Sequence, residues 1–115
     1  MKVLRQIAHG DVRMALKLSD DPIPAPGHGE IVVKMEVAAL HGTDVWGLTD
    51  TKRVAPNALP RIGGTEGVGR VHALGESVSQ FKLGQRVFPP KYGGLFREYV
   101  PCPASAVYAA PENCA

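Results

Sequence analysis

Alternating apolar and polar residues along the chain predict short β-strands rather than long helices. The strongest example is residues 30–40, in which one set of alternate positions is apolar throughout: Ile31, Val33, Met35 and Val37. Because successive side chains of a strand point to opposite sides, these four residues are predicted to share one face. Shorter strands are predicted at residues 1–8, 14–18, 67–74, 86–88, 95–100 and 106–109.

Glycine and proline divide the chain into these short elements. The 115 residues include 13 glycines and 10 prolines, spread along the whole length. The prolines in residues 20–29 remove backbone donors, so this segment is predicted to be an extended surface connection. Thr43 or Asp44 is predicted to cap a short helix that runs through Trp46 and Leu48. The spacing of strands and turns predicts one mainly β domain, either a barrel or a sandwich.

Composition and charge argue against several classes of function. The formal net charge is +2, and the basic residues are dispersed without a stripe, so no nucleic-acid partner is expected. No apolar run approaches the ~18 residues of a membrane span, and the N-terminal residues lack the apolar stretch of a secretion signal. We therefore expect a cytoplasmic protein that does not associate with membranes.

The two cysteines, Cys102 and Cys114, do not form a metal-binding pattern. They are 12 residues apart, they form no CxxC pair, and two thiols alone do not make a zinc site. In a cytoplasmic protein, reduced and structural thiols are favoured, with a disulfide between the two as the alternative.

Five motifs occur along the chain in an order that is typical of one protein family. They are PxPxPGxGE before a long strand, a Thr-Asp pair at a helix start, LPxxxGxEGVGxVxxLG, FxLGxRV and GGxFxEYV. Together they resemble the N-terminal, GroES-like domain of the medium-chain dehydrogenase/reductase superfamily. The resemblance covers nearly the whole chain and implies a partly open β-barrel with a few short helices.

In that family a second, Rossmann-type domain binds the nicotinamide cofactor, and the active site lies in the cleft between the two domains. Residues 1–115 are expected to be the GroES-like domain alone, with the Rossmann domain absent.

Two positions distinguish this chain from the zinc-dependent members of that family. Those enzymes carry a cysteine where this chain has His41, and a histidine where it has Thr65 in the triplet Gly64-Thr65-Glu66. A zinc ion needs three or four Cys, His or carboxylate ligands, and a neutral hydroxyl is a poor substitute. The resemblance therefore favours the zinc-independent quinone oxidoreductases and trans-2-enoyl reductases, and zinc is not expected.

In the zinc-independent branch, hydride passes from a reduced nicotinamide to an activated C=C bond. The resemblance implies NAD(P)H for a full-length relative, and we expect this chain alone to bind no cofactor. It also implies a set of site residues. The catalytic candidates are His41 and Thr43, the substrate-binding candidates are Trp46 and Thr65, and the orienting carboxylates are Asp44 and Glu66.

Each of these assignments has a structural alternative. His41 is often only a hydrogen-bonded residue at a strand end, Trp46 is more typical of a core residue, and Asp44 is more typical of a helix cap. The glycines of residues 64–69 are spaced GxxGxG and lead into a strand, so they do not predict a dinucleotide-binding loop.

Two functions follow from the sequence. The first is the substrate-side domain of a zinc-independent NAD(P)H-dependent quinone, enone or enoyl reductase, expected to be inactive alone and to contact a small-molecule substrate. The second is a stand-alone, non-catalytic binding or oligomerisation module. In either case the surface that would face a Rossmann domain is expected to be apolar and to form a homo-oligomer.

Overall fold

The computed structural model describes residues 1–113, which form two antiparallel sheets and a few short helices. The strands are β1 (Lys2–Gln6), β2 (Leu16–Asp20), β3 (Glu30–Ala39), β4 (Arg61–Ile62), β5 (Glu66–Leu74), β6 (Arg86–Phe88), β7 (Tyr99–Pro103) and β8 (Tyr108–Ala109). The helices are α1 (Val12–Ala15) and α2 (Gly42–Trp46), with 3₁₀ turns at Pro56–Ala58 and Ala104–Ala106.

The smaller sheet has the strand order β2-β1-β4, and the larger has the order β7-β3-β5-β6-β8. Neighbouring strands in both sheets run antiparallel. Neither sheet closes on itself. The prediction of a mainly β, partly open fold with a few short helices is therefore confirmed.

The hydrophobic core lies under the larger sheet. Its longest strand, β3, pairs with β5 on one side and β7 on the other. The buried cluster consists of Ile31, Val33, Val71, Phe81, Val87, Leu95, Val100, Cys102, Ala104 and Val107. Most of these side chains are aliphatic, so apolar burial is the main source of stability here.

The predicted shared face of β3 extends from Ile31 through Val33 to Met35, which lie in the core cluster or pack against it. The prediction is wrong for Val37, which is 61% exposed, and Val32 is buried as well, outside that cluster. The pairing with β5 shifts register between Val32 and Val33 and again between Met35 and Val37. Such irregularities bend a strand and redirect its side chains, which a strict two-residue period does not anticipate.

The predicted strand at residues 14–18 is wrong in its first half. The Asp11 side chain accepts a hydrogen bond from the Arg13 backbone N–H at 2.9 Å and caps α1. The chain becomes extended only at Leu16, where β2 begins. A good N-cap residue therefore favours one helical turn over the alternation that begins at Met14.

The predicted strand 95–100 is wrong in its first part, because that part connects the two sheets. The Leu4 N–H of β1 donates to the carbonyl of Phe96 at 2.9 Å, and the Met35 N–H of β3 donates to the carbonyl of Glu98 at 2.8 Å. Because the carbonyls of Phe96 and Glu98 bond to strands of different sheets, this segment cannot form a continuous strand pairing with either one. Regular pairing with β3 begins only in β7.

Cys102 is buried in the core, and burial raises the pKa of its thiol to about 11. The other cysteine, Cys114, which the alternative of a disulfide would require, lies outside the described residues, so neither alternative is tested. Within residues 1–113, no helix combines the length and the apolar character that crossing a bilayer requires.

Candidate functional site

The helix α2 is attached to the start of β5 by the side chain of Asp44. The Asp44 carboxylate accepts the backbone N–H of His41 at 2.8 Å through one oxygen and the Thr65 hydroxyl at 3.1 Å through the other. Thr65 is only 8% exposed. The cap residue of α2 is His41, not Thr43 or Asp44 as predicted, and Asp44 lies in the first turn of the helix. Asp44 nevertheless receives a backbone N–H, which is what a capping carboxylate does.

His41 belongs to a row of three charged or titratable side chains. Its Nε2 lies 2.9 Å from one oxygen of Glu66, and the Lys91 ammonium lies 3.1 Å from the other. Two hydrogen bonds hold the pKa of the Glu66 carboxyl below its ordinary value. The larger contribution comes from Lys91 and the smaller from His41. Because an ionised carboxylate only accepts hydrogen bonds, Nε2 of His41 carries a proton and Nδ1 is left to other partners.

A cavity of about 180 Å³, here called the α2 cavity, lies beside the helix. Its lining residues come from α2, from the loop after it, from the ends of β4 and β5, and from the turn before residue 95. They are Thr43, Asp44, Arg53, Val54, Arg61, Thr65 and Tyr92. Three of them carry hydroxyl groups and two carry guanidinium groups. The cavity can therefore donate several hydrogen bonds to one small ligand.

The predicted site residues do not all face the same space. Thr43, Asp44 and Thr65 line the α2 cavity. Glu66 lines a separate, mainly apolar cavity of about 420 Å³ together with Lys91. His41 lies between these two groups, bonded to Glu66 through its ring and to Asp44 through its backbone.

Trp46 is 55% exposed, so the alternative that it is a core residue is wrong. The Arg53 guanidinium lies 4.8 Å from the centre of its ring, a cation–π distance. Arg53 is also 3.7 Å from the carboxylate of Asp50. Trp46 thus fixes the position of Arg53 at the edge of the α2 cavity.

Sequence reasoning missed Tyr92, Arg53 and Arg61. Tyr92 has φ of 58°, in the left-handed region that is uncommon for residues other than glycine. Its backbone N–H donates to the carbonyl of Thr65 at 2.9 Å, which fixes the turn against β5. No sequence motif indicated that Tyr92 and Thr43 line the same cavity.

The described residues do not fit a catalytic zinc site. Across residues 1–113, no three His, Cys, Asp or Glu side chains lie together in positions to hold a metal ion. The Thr65 hydroxyl donates to Asp44, and the imidazole of His41 is bonded to Glu66. A zinc site built on three or four deprotonated ligands is therefore not assembled by this part of the chain.

Comparison with known proteins places these features in one family. Residues 27–112 match the family model of the alcohol dehydrogenase GroES-like domain. This match confirms the resemblance inferred from the motifs.

Two curated relatives represent two kinds of enzyme. An alcohol dehydrogenase of Moraxella sp. is 42% identical over 73 residues, covering 64% of this chain and 21% of that protein. The quinone oxidoreductase of Sus scrofa is 31% identical over 114 residues, covering 98% of this chain and 34% of that protein. The chain therefore spans about a fifth to a third of the length of these relatives.

A solved structure has the same fold over the whole chain. The structure of a mycobacterial protein complexed with NADPH superposes with a TM-score of 0.81 at 28% sequence identity. The superposition covers 100% of this chain and 35% of that structure.

Proposed function

Because the chain belongs to the alcohol dehydrogenase GroES-like domain family, we propose that it forms the substrate side of the cleft in a zinc-independent NAD(P)H-dependent reductase. The substrates proposed are quinones, enones or enoyl thioesters. The observation that carries the proposal is the α2 cavity, whose hydroxyl groups come from Thr43, Thr65 and Tyr92. Hydroxyl groups suit hydrogen bonding to a carbonyl oxygen, whereas they are poor ligands for zinc.

In the proposed reaction, a bound NAD(P)H supplies the hydride. Thr43 donates a hydrogen bond to the substrate carbonyl oxygen, which gains negative charge as the conjugated C=C bond is reduced. Thr65 and Tyr92 limit the orientations in which the substrate enters the α2 cavity. Water supplies the proton that completes the reduction, and His41, whose Nε2 is bonded to Glu66, positions Asp44 through its backbone N–H.

We further propose that residues 1–115 by themselves bind no NAD(P)H and reduce no substrate. The α-helices of the described residues are four and five residues long. Neither follows a strand through a glycine-rich turn of the kind that binds a pyrophosphate group. A titration of the chain with NADPH, followed by nicotinamide fluorescence, is expected to show no change.

Substrate binding is tested with duroquinone, a neutral quinone, by following backbone amide resonances. We expect the largest shifts at residues of the α2 cavity. Thr43→Val removes the hydroxyl at nearly constant volume and is expected to weaken binding about fivefold, the loss of one hydrogen bond. Thr51→Val, at an exposed position outside the cavity, is the matched control. Shifts confined to other surfaces, or equal binding by both variants, would contradict the proposal.

The zinc-independent assignment has its own test. After expression with added zinc and mild dialysis, metal analysis is expected to find well under one zinc ion per chain. Stoichiometric zinc would overturn the assignment, whatever the outcome of the quinone titration.

A second candidate function, a binding or oligomerisation module, is favoured by the exposed apolar side chains around α2. Leu40 is 73% exposed and Val45 is 50% exposed. Both line an apolar groove of about 250 Å³ with Leu4, Leu48 and Phe96 among the other lining residues. We propose that this surface drives self-association, so light scattering should show a homo-oligomer that Leu40→Glu converts to monomer. A wild-type chain that stays monomeric at millimolar concentration would exclude this candidate.

A further inference from the structure

Arg61 is fixed in position by a buried glutamine. Strand β4 pairs with β1 so that Arg61 lies opposite Gln6. The Arg61 Nε–H donates to Oε1 of Gln6 at 3.2 Å. Gln6 is 2% exposed, and its amide nitrogen donates to the carbonyl of Gly47 at 2.8 Å and to that of Ala8 at 3.1 Å. The orientation of Gln6 is therefore fixed, and its oxygen is directed at Arg61.

Two glycines allow the outer end of the Arg61 guanidinium to lie against the backbone. A Cβ atom at Gly47 would lie 3.3 Å from Nη2 of Arg61, and one at Gly63 would lie 3.9 Å from it. Nη2 of Arg61 therefore lies against glycine backbone, and Arg61 lines both the α2 cavity and the apolar groove that includes Gly63. A ligand in the α2 cavity can reach the guanidinium because Arg61 is part of its lining.

Arg61 has no carboxylate partner among residues 1–113, although it is half-buried. The cavity contains one carboxylate, that of Asp44, and both of its oxygens already accept hydrogen bonds from His41 and Thr65. The other arginine of the cavity, Arg53, lies 3.7 Å from Asp50. Within residues 1–113, Arg61 therefore forms no direct ion pair, and the Asp44 carboxylate of the same cavity is bonded to His41 and Thr65 instead.

Placing a charged group in a partly buried position without a partner is costly, and the cost is recovered when a ligand supplies the opposite charge. We propose that Arg61 makes the α2 cavity a carboxylate-binding site, and that the substrate is a small enone that also carries a carboxylate, through which Arg61 anchors it. This inference rests on the proposed function, since it names the substrate class of the same cavity.

The chemistry of the cavity favours a carboxylate over a larger or more highly charged anion. A planar carboxylate matches the two parallel N–H groups of one guanidinium. The cavity of about 180 Å³ is also below the roughly 300 Å³ at which pockets for drug-sized ligands begin. It therefore suits a short acid, with the exposed ring of Tyr92 and the hydroxyl of Thr43 beside the remainder of the molecule.

The test compares benzoate with benzamide, a neutral ligand of the same shape, by amide resonance titration of the 115-residue chain. We expect benzoate to bind roughly tenfold more tightly, the ratio expected for one charge-assisted hydrogen-bonded pair. Arg61→Gln keeps a donor for Gln6 and is expected to remove the difference between the two ligands. Arg61→Lys keeps the positive charge but lacks the two parallel N–H groups of a guanidinium. This variant is expected to retain part of the preference for benzoate.

The matched control is Arg13→Gln, which removes the same charge from a side chain that is 86% exposed on α1. It is expected to leave the preference for benzoate unchanged. Equal binding of the two ligands by the wild-type chain would overturn the inference, as would a preference that survives in Arg61→Gln. Tighter binding of inorganic phosphate than of benzoate would overturn the assignment to carboxylates.

Failure of this inference is distinguishable from failure of the proposed function. If benzoate and benzamide shift the resonances of Thr43 and Tyr92 equally, the cavity binds small molecules but does not select acids. If neither these ligands nor duroquinone shift those resonances, the substrate-binding role itself is wrong.

Discussion

The core under the larger sheet and the region around α2 are built from different interactions. Ile31 and Val33 are fully buried in β3, the longest strand of the larger sheet, between β5 and β7. Around α2 the elements are short, and side-chain hydrogen bonds such as Thr65 to Asp44 position them. Apolar burial thus carries most of the stability, while a few polar contacts determine the geometry of the site. The two contributions are expected to respond to different substitutions.

The largest expected effect is on the core. Ile31→Ala removes a fully buried side chain and is expected to lower the free energy of unfolding by about 2–5 kcal/mol, through lost burial and the cavity left behind. Urea denaturation measures this change. Ile23→Ala is the control, because Ile23 is 52% exposed and contributes far less. Similar losses in the two variants would show that β3 is not the centre of the core.

A smaller effect is expected where the helix meets β5. Thr65→Val removes the hydroxyl that donates to Asp44 and is expected to cost about 1 kcal/mol of unfolding free energy. The amide resonances of α2 should shift at the same time, since Asp44 loses one of its two partners. Thr51→Val serves as the control on the exposed loop. A stability loss without any change in α2 would argue against Asp44 as the link.

The smallest effect is electrostatic and depends on pH. Because the folded-state pKa of Glu66 is lowered, its contribution to stability is present above its ordinary value of 4.5 and is lost as the pH falls through the folded-state value. Carboxyl ¹³C titration is expected to give a pKa below 4.5 for Glu66.

The same titration distinguishes the partners of Glu66. Lys91→Met, which removes the strongest partner, is expected to raise the pKa of Glu66, whereas Lys52→Met at an exposed loop position should not. An unchanged pKa in Lys91→Met would mean that the Lys91 ion pair is not formed in solution. Because Lys91 is 72% exposed, the pair is expected to contribute little to overall stability.

Much of the fold was predictable because its signals are local. Strand β6 falls at the predicted residues 86–88, and β5 differs from its prediction by one residue. The errors occur where distant contacts override the local pattern. The register shifts of β3 depend on β5, and the segment before β7 bonds to both sheets. The alternation of apolar and polar residues within a segment does not indicate which distant strand that segment will pair with.

The candidate site was predictable only in part. The family motifs pointed to Thr43 and Thr65, and the structure brings both to the α2 cavity. They also pointed to His41 and Glu66, which are bonded to each other outside the lining of that cavity. The catalytic and substrate-binding roles of all four remain predictions.

The sequence by itself determined the family and the mainly β class, because turn residues, strand periodicity and ordered motifs are properties of short stretches of chain. Only the tertiary structure decided that Arg61 faces the cavity. That placement depends on a two-residue strand, too short to show any period, which pairs with a residue 55 positions earlier. Long-range pairing of this kind follows from the packing of the whole domain, and local sequence patterns do not encode it.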